Sequence, residues 1–148
     1  MLRDDERIDI IPGSDFKIIQ NKNKFSYGTD AIFLSHFAKS KGKVVDLGTG
    51  TGIIPLRLYA KDKVDIIYGV EIQEEVADMA KRSIELNNLE EKISILNMDL
   101  RELPAKFGKN TIDTITTNPP YMKAGGALVN PEENFAISRH EIACNLED

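Results

Sequence analysis

Cysteine is nearly absent from this chain: Cys144 is its one thiol in 148 residues, which excludes an internal disulfide. His140 and Cys144 stand a helical turn apart, but no second pair completes a metal site, so they read as one face of a helix. Long apolar runs are lacking too, and no stretch approaches the ~20 residues that cross a bilayer as a helix. An excess of cationic residues is also missing. Nineteen Lys and Arg stand against 24 Asp and Glu, giving a net charge of -5 and a pI near 5.1, which argues against a basic nucleic-acid surface over the whole protein. The opening Met1-Leu2-Arg3-Asp4-Asp5-Glu6 is too charged to begin a secretory signal, and a cytoplasmic protein is expected. There is no internal repeat, linker or low-complexity tract, and the length suits one domain with a real core.

What the chain does contain is a glycine turn after a buried run. Val44-Val45-Asp46-Leu47 leads into Gly48-Thr49-Gly50-Thr51-Gly52 and then into the helix-like Ile53-Ile54-Pro55-Leu56-Arg57-Leu58. Alternating glycines let the backbone approach a ligand closely, and a helix starting near Gly52 turns free N–H groups toward it. Pro55 fits the first turn, where its missing N–H costs nothing. A dinucleotide fingerprint needs a small residue where Ile53 stands, and a phosphate loop needs Gly-Lys-Ser or Gly-Lys-Thr, so neither NAD nor ATP is favoured.

Two further apolar runs end in acids. Asp65-Ile66-Ile67-Tyr68-Gly69-Val70-Glu71 reads as a buried strand whose final carboxylate could accept both hydroxyls of a ribose. Ile93 to Asn97 reads as another, followed by Asp99, a possible acceptor for an adenine amino group. Ligands of open parallel sheets bind outside the carboxyl ends of the strands, so Asp46, Glu71 and Asp99 are expected to face one crevice. Taken singly, each acid reads equally as a helix cap or a solvated residue.

A fourth run, Thr111 to Thr117, alternates as a strand and empties into Asn118-Pro119-Pro120-Tyr121. Two prolines fix two φ angles and supply no N–H, so their carbonyls stay out of a strand ladder and can face a ligand. With the Asn118 side-chain carbonyl they frame a planar NH₂ group, and Tyr121 offers a face on which a ring could stack. The alternative is an Asn-Pro turn closing a strand, with Tyr121 in the core.

Upstream, Ile8 to Ile11 and Phe16 to Gln20 predict a hairpin around Pro12-Gly13-Ser14-Asp15. A helix capped near Asp30 follows, burying Ala31, Phe33, Leu34, Phe37 and Ala38. Further helices are predicted from about Ile53 to Ala60 and from about Glu74 to Asn88, the latter with Val76, Met79, Ala80, Ile84 and Leu86 as its apolar positions. Lys17, Lys22 and Lys24 before the first helix, with Lys39, Lys41 and Lys43 after it, form either a basic edge near the pocket or a solvated face. Gly125-Gly126 and Pro131 sit in a long segment that reads as a flap or a surface loop.

Asp46-Leu47-Gly48-Thr49-Gly50-Thr51-Gly52, Glu71 and Asp99 resemble the S-adenosylmethionine motifs of class I methyltransferases. Asn118-Pro119-Pro120-Tyr121 is similar to the loop of enzymes that methylate exocyclic or amide nitrogen. Within that superfamily, Phe25-Ser26-Tyr27-Gly28-Thr29-Asp30-Ala31 and Ala136-Ile137-Ser138-Arg139-His140-Glu141 resemble the bacterial family that methylates adenine beside the anticodon of a valine tRNA. The resemblance implies an α/β, Rossmann-like sheet, with a hairpin and helix extension over residues 1–40 and a cofactor-binding core over 41–148. It implies an enzyme that takes S-adenosylmethionine as cofactor and tRNA as substrate, with no membrane and no metal. Tyr27, Gly28, Thr29, Asp46, Gly48, Thr49, Gly50, Gly52, Glu71, Ile72, Asp99, Leu100 and Asn118 would hold the cofactor, and Asn118, Pro119, Pro120 and Tyr121 would carry catalysis. DNA adenine methylases and release-factor glutamine methylases share the four-residue loop, so a glutamine substrate, or a cofactor-binding fragment without activity, stands as the alternative.

The same resemblance implies about seven strands where four parallel ones are legible, so roughly three are expected to be missing beyond a helix from about Ile137 to Leu146. The chain is therefore expected to be an N-terminal fragment with an open edge at its fourth parallel strand, through which it could self-associate.

Overall fold

The computed structural model describes residues 2–23 and 25–119. The readings placed on Lys24, Pro120, Tyr121, Gly125-Gly126, Pro131, the segment from Ala136 to Glu141, the helix from Ile137 to Leu146, His140 and Cys144 lie outside the described residues.

The chain begins with an antiparallel hairpin, β1 (Glu6–Ile10) and β2 (Lys17–Asn21), whose register pairs Ile8 with Ile19. β2 is covered on both faces, with Ile18 and Ile19 buried in different clusters, while Ile8 and Ile10 on β1 remain exposed. Then come α1 (Thr29–Phe37), β3 (Gly42–Leu47), α2 (Ile53–Lys61), β4 (Val64–Glu71), α3 (Glu74–Leu86) and β5 (Ile93–Asn97). A 3-10 turn over Leu100–Glu102 leads directly into α4 (Leu103–Phe107), and β6 (Thr114–Thr117) follows.

β3 to β6 form one parallel sheet in the order β5-β4-β3-β6. The chain therefore steps outward from β3 through β4 to β5, then returns to the other side of β3. That reversal opens a crevice outside the carboxyl ends of β3 and β6, the place where doubly wound sheets bind ligands. The helices divide accordingly. Val44, Ile67, Ile93 and Ile95 point to one face and share a buried cluster with Leu56 of α2 and Ala80 and Ile84 of α3. Val45 and Val70 point to the other and pack on Leu103 of α4, with Tyr68 edge-on to Phe107 at 4.8 Å between ring centroids. Among the described residues β6 pairs with β3 alone.

The hairpin is tied to α3 by hydrogen bonds as well as apolar contact. The Ile19 N–H donates to Ser83 Oγ at 2.9 Å, and that hydroxyl donates to the Met79 carbonyl at 2.9 Å. The Asn87 side chain accepts from the Lys17 N–H and donates to its carbonyl.

Four expectations are corrected. Helix α1 buries Ala31 and Ser35, with Leu34 and Ala38 partly covered, whereas Phe33 and Phe37 are 59% and 76% exposed. The reason is polar: Ser35 Oγ takes a 2.6 Å hydrogen bond from Arg57 Nε of α2 and turns the small-residue face inward. Its N-cap is Gly28 rather than Asp30, which sits in the first turn. Leu86 is 39% exposed although it stands two turns after Met79 on the same side, because it is the last residue of α3, at the end of the face that carries Val76, Met79, Ala80 and Ile84. The basic edge does not reach the crevice from its second half. Lys41 precedes β3 and Lys43 lies at its amino end, roughly 16 Å along the strand from Gly48 at the rise of an extended chain.

Ser83 is fully buried and serves two backbone partners. Ser83→Ala would strand the Ile19 N–H, so it should lower unfolding free energy by about 1–3 kcal/mol. Urea denaturation checks this, and an unchanged midpoint would contradict the role.

Candidate cofactor and amino-group site

The site forms because three neighbouring strands end level. Leu47 pairs with Val70 on one side and Thr117 on the other, so Gly48 and Asn118 leave the sheet together, level with Glu71, the last residue of β4. At that rim the glycine turn requires its glycines. Gly48, Gly50 and Gly52 have φ of +67°, +58° and +88°, the left-handed region that side chains rarely adopt. Above Gly48 there is open space, while a Cβ on Gly50 would strike the Phe25 ring at 2.8 Å. Phe25, from the segment after the hairpin, therefore forms a wall against the turn. The turn is pinned beneath by Thr49 N–H to the Val70 carbonyl at 2.9 Å.

Glu71 serves the turn from below. Its Oε2 accepts from Gly50 N–H at 3.0 Å and its Oε1 from Gln73 N–H at 2.9 Å, and it is 6% exposed. Burial raises its pKa, opposed by those N–H groups. Ile72, next along, is exposed at the rim. Asn97, which sequence reasoning passed over, clamps this corner: its Nδ2 donates to the Glu71 carbonyl at 2.9 Å and the Ile72 carbonyl at 3.1 Å. An amide at a strand's last residue was the available signal.

Asp99 is placed after β5 as expected, but its carboxylate is engaged with Arg101. Oδ1 accepts from the Arg101 N–H and Nε at 2.9 Å each, and Oδ2 from the guanidinium at 2.5 Å. Those hydrogen bonds hold the Asp99 carboxyl down at about 2. Leu100 packs partly buried against the cluster of Val45, Val70 and Leu103.

Asp46 departs most from expectation. It does not present an acid to the crevice surface. One residue short of the strand end, its side chain is fully buried, with Oδ1 accepting from Thr116 Oγ1 at 2.7 Å. The Thr49 hydroxyl lies beside the same carboxyl, and the Thr51 hydroxyl is buried with no hydrogen-bond partner among the described residues. Burial pushes the Asp46 carboxyl up to about 7, against the Thr116 and Thr49 hydroxyls and with the Glu71 carboxylate nearby.

On the β6 side, Asn118 is half-buried and its Nδ2 donates to Asp30 Oδ2 of α1 at 2.7 Å; Pro119 is exposed beside it. The sheet thus brings together Gly48, Thr49, Gly50, Gly52, Glu71, Ile72 and Asn118. Tyr27 and Thr29 flank Gly28 at the start of α1, where the Tyr27 N–H donates to Gln20 Oε1 at 3.0 Å. No group of three or more His, Cys, Asp or Glu arranged to hold a metal occurs among the described residues.

A parallel sheet that reverses at β3, with a glycine turn at one strand end, an acid at the next and Asn-Pro at the third, defines a Rossmann-like methyltransferase fold. The chain belongs to the methyltransferase small domain family, whose model matches residues 16–136. It is 29% identical over 137 residues to the tRNA1(Val) (adenine(37)-N6)-methyltransferase of Bacteroides thetaiotaomicron, covering 89% of this chain and 55% of that protein. To the protein of the same name from Histophilus somni it is 33% identical over 124 residues, covering 82% and 52%. The chain spans about half the length of the curated relatives it matches. Among solved structures, that of P. horikoshii TYW2 in complex with MeSAdo matches with a TM-score of 0.64 at 21% identity, over 84% of this chain and 45% of that one. M. capricolum TrmK in complex with S-adenosyl-homocysteine matches with a TM-score of 0.52 at 19% identity, over 63% and 41%. These likenesses show the fold.

The Asp46 environment has a measurable consequence. Between about pH 4 and about pH 7 the folded chain keeps a proton that the unfolded chain has lost, so stability falls as pH rises through that window and levels above it. Asp46→Asn should flatten this fall, read from urea midpoints at about pH 5 and about pH 8. Equal slopes in variant and parent would contradict the assignment.

Proposed function

We propose that this chain binds S-adenosylmethionine in the crevice over Gly48, Gly50, Gly52, Glu71 and Ile72, and that the protein methylates N6 of adenine in a tRNA in the cytoplasm. The observation that carries the reading is the level ending of β3 and β6, which sets Asn118 beside the glycine turn. The names of the relatives supply the substrate class.

The residues fit the cofactor. Open space over Gly48 admits close approach of a ligand to the backbone, with the Phe25 ring as a wall beside it. Glu71 holds the turn in shape and keeps lone pairs for a ribose. Tyr27, Gly28, Thr29, Asp99 and Leu100 complete the cofactor set of this proposal, with Asp99 exchanging part of its hold on Arg101 for an adenine amino group. S-adenosylmethionine supplies an electrophilic methyl on sulfur, so an N–C bond forms as the S–C bond breaks and the nitrogen's surplus proton leaves to water.

An adenine amino group is a poor nucleophile because its lone pair is delocalised into the ring. Asn118 Oδ1 and the Pro119 carbonyl would each accept one of its N–H groups, holding the nitrogen so that its lone pair aims along one line. No base is needed before attack, because the proton becomes acidic only as the N–C bond forms. Pro120 and Tyr121 complete the loop in this proposal, Pro120 by stiffening it and Tyr121 by stacking on the base. Such a base must be unstacked first, and an anticodon loop presents it that way. Pairing of two copies along the side of β6 away from β3 belongs to the same proposal, and sedimentation reads it. Residues 1–40 serve as an extension to a core over 41–148.

Calorimetry should find S-adenosylmethionine bound by the chain, and Asn118→Ala should keep that affinity while lowering methyl transfer to bulk tRNA by about a hundredfold or more. No binding by the parent chain, or transfer to a release factor in preference to tRNA, would overturn the reading.

A further inference from the structure

Gly28-Thr29-Asp30 lies at the start of α1, 88 residues from the catalytic loop, yet the Asp30 carboxylate meets the Asn118 amide at 2.7 Å. A carboxylate offers only acceptors, so the Asn118 atom that faces it must be Nδ2. That contact removes the two-fold ambiguity of the amide, and Oδ1, its one acceptor, is left to point away from Asp30. We infer that Asp30 is a positioning residue: it locks the Asn118 side chain with Oδ1 turned to the amino group of the substrate. The inference rests on the proposed function for what Oδ1 meets, but the lock itself does not.

Three observations support a built contact rather than an incidental one. Gly28 has φ of -95°, which any residue can adopt, so its backbone does not call for glycine. A Cβ there would push aside Asp30 Oδ1, the far end of an exposed side chain. Gly28 therefore leaves room for the carboxylate to lie where Asn118 finds it. The first turn of α1 also supports a negative charge, since its free N–H groups form the positive end of the helix. Finally, Asp30 is exposed and belongs to no buried cluster, so packing does not account for its orientation. A hydrogen bond to a charged acceptor also draws electron density through the amide toward Oδ1, which strengthens that oxygen as an acceptor.

The lock is read directly by nuclear magnetic resonance of the side-chain amide of Asn118, assigned by its loss in Asn118→Ala. In the parent chain one Nδ2 proton should be shifted downfield and slow to exchange. Asp30→Ala should abolish both features, and Asp30→Asn, which keeps an acceptor, should restore them in part. In methyl transfer to tRNA, Asp30→Ala should lower kcat by about a hundredfold, the scale of a misplaced reacting group, with cofactor affinity by calorimetry unchanged. Asp30→Asn should fall between. Identical Asn118 signals in parent and Asp30→Ala would overturn the inference, as would equal kcat. If the signals change as expected but the parent methylates no tRNA, the lock stands and the proposed substrate falls.

Discussion

Asp46 is sealed from water, and its Oδ1 accepts from the Thr116 hydroxyl at 2.7 Å across the β3–β6 pair. That pair is where the strand order reverses, so one buried polar contact joins the strand that carries the glycine turn to the strand that carries Asn118. A buried carboxylate without a full set of partners is costly, and here burial keeps it protonated well above the ordinary carboxylate range. The level ends of β3, β4 and β6 follow from the pairing around it, and the crevice follows from the level ends. Glu71 does comparable work one strand over, where its carboxylate spans Gly50 and Gln73 and holds the turn to β4.

Around this rim the site has two halves of different origin. The glycine turn, Glu71 and Asn97 come from consecutive β-α units and are stabilised by short-range strand pairing. Asn118 depends on contacts across long stretches of sequence: Thr117 Oγ1 donates to the Leu47 carbonyl at 3.2 Å, and its own amide reaches Asp30. The hairpin and α1 are therefore part of the site's support. They supply Phe25 against the turn and Asp30 against Asn118, and Ser83 anchors the hairpin to α3.

Local signals were readable in the sequence wherever backbone conformation depends on neighbours. The bounds of β5 coincide with the apolar run from Ile93 to Asn97, and the alternating glycines announced three positive φ angles. Faces and directions were harder. Phe33 and Phe37 made an apolar stripe on α1, but the Ser35 hydrogen bond to Arg57 selected the opposite side, and hydrophobicity does not report a polar tether. The lysines around α1 are close in sequence to the glycine turn, yet a strand carries its ends apart, which leaves Lys43 at the far edge. Asp46 looked like a strand-end acid because sequence does not show depth within a sheet. Asp99 follows β5, and its partner Arg101 was in view two residues on. The Asp30 contact was not legible at all, since nothing local links it to a loop 88 residues away.

The central claim is that the carboxyl ends of β3, β4 and β6 form one cofactor site beside Asn118. Titrating a nitrogen-labelled sample of the chain with S-adenosylhomocysteine and following backbone amide shifts tests it most directly. The account expects large changes at Gly48, Thr49, Gly50, Ile72 and Asn118, with Lys41, Lys43 and the residues of α4 unmoved. Shifts confined to the amino ends of the strands, or none at the glycine turn at saturating ligand, would contradict it.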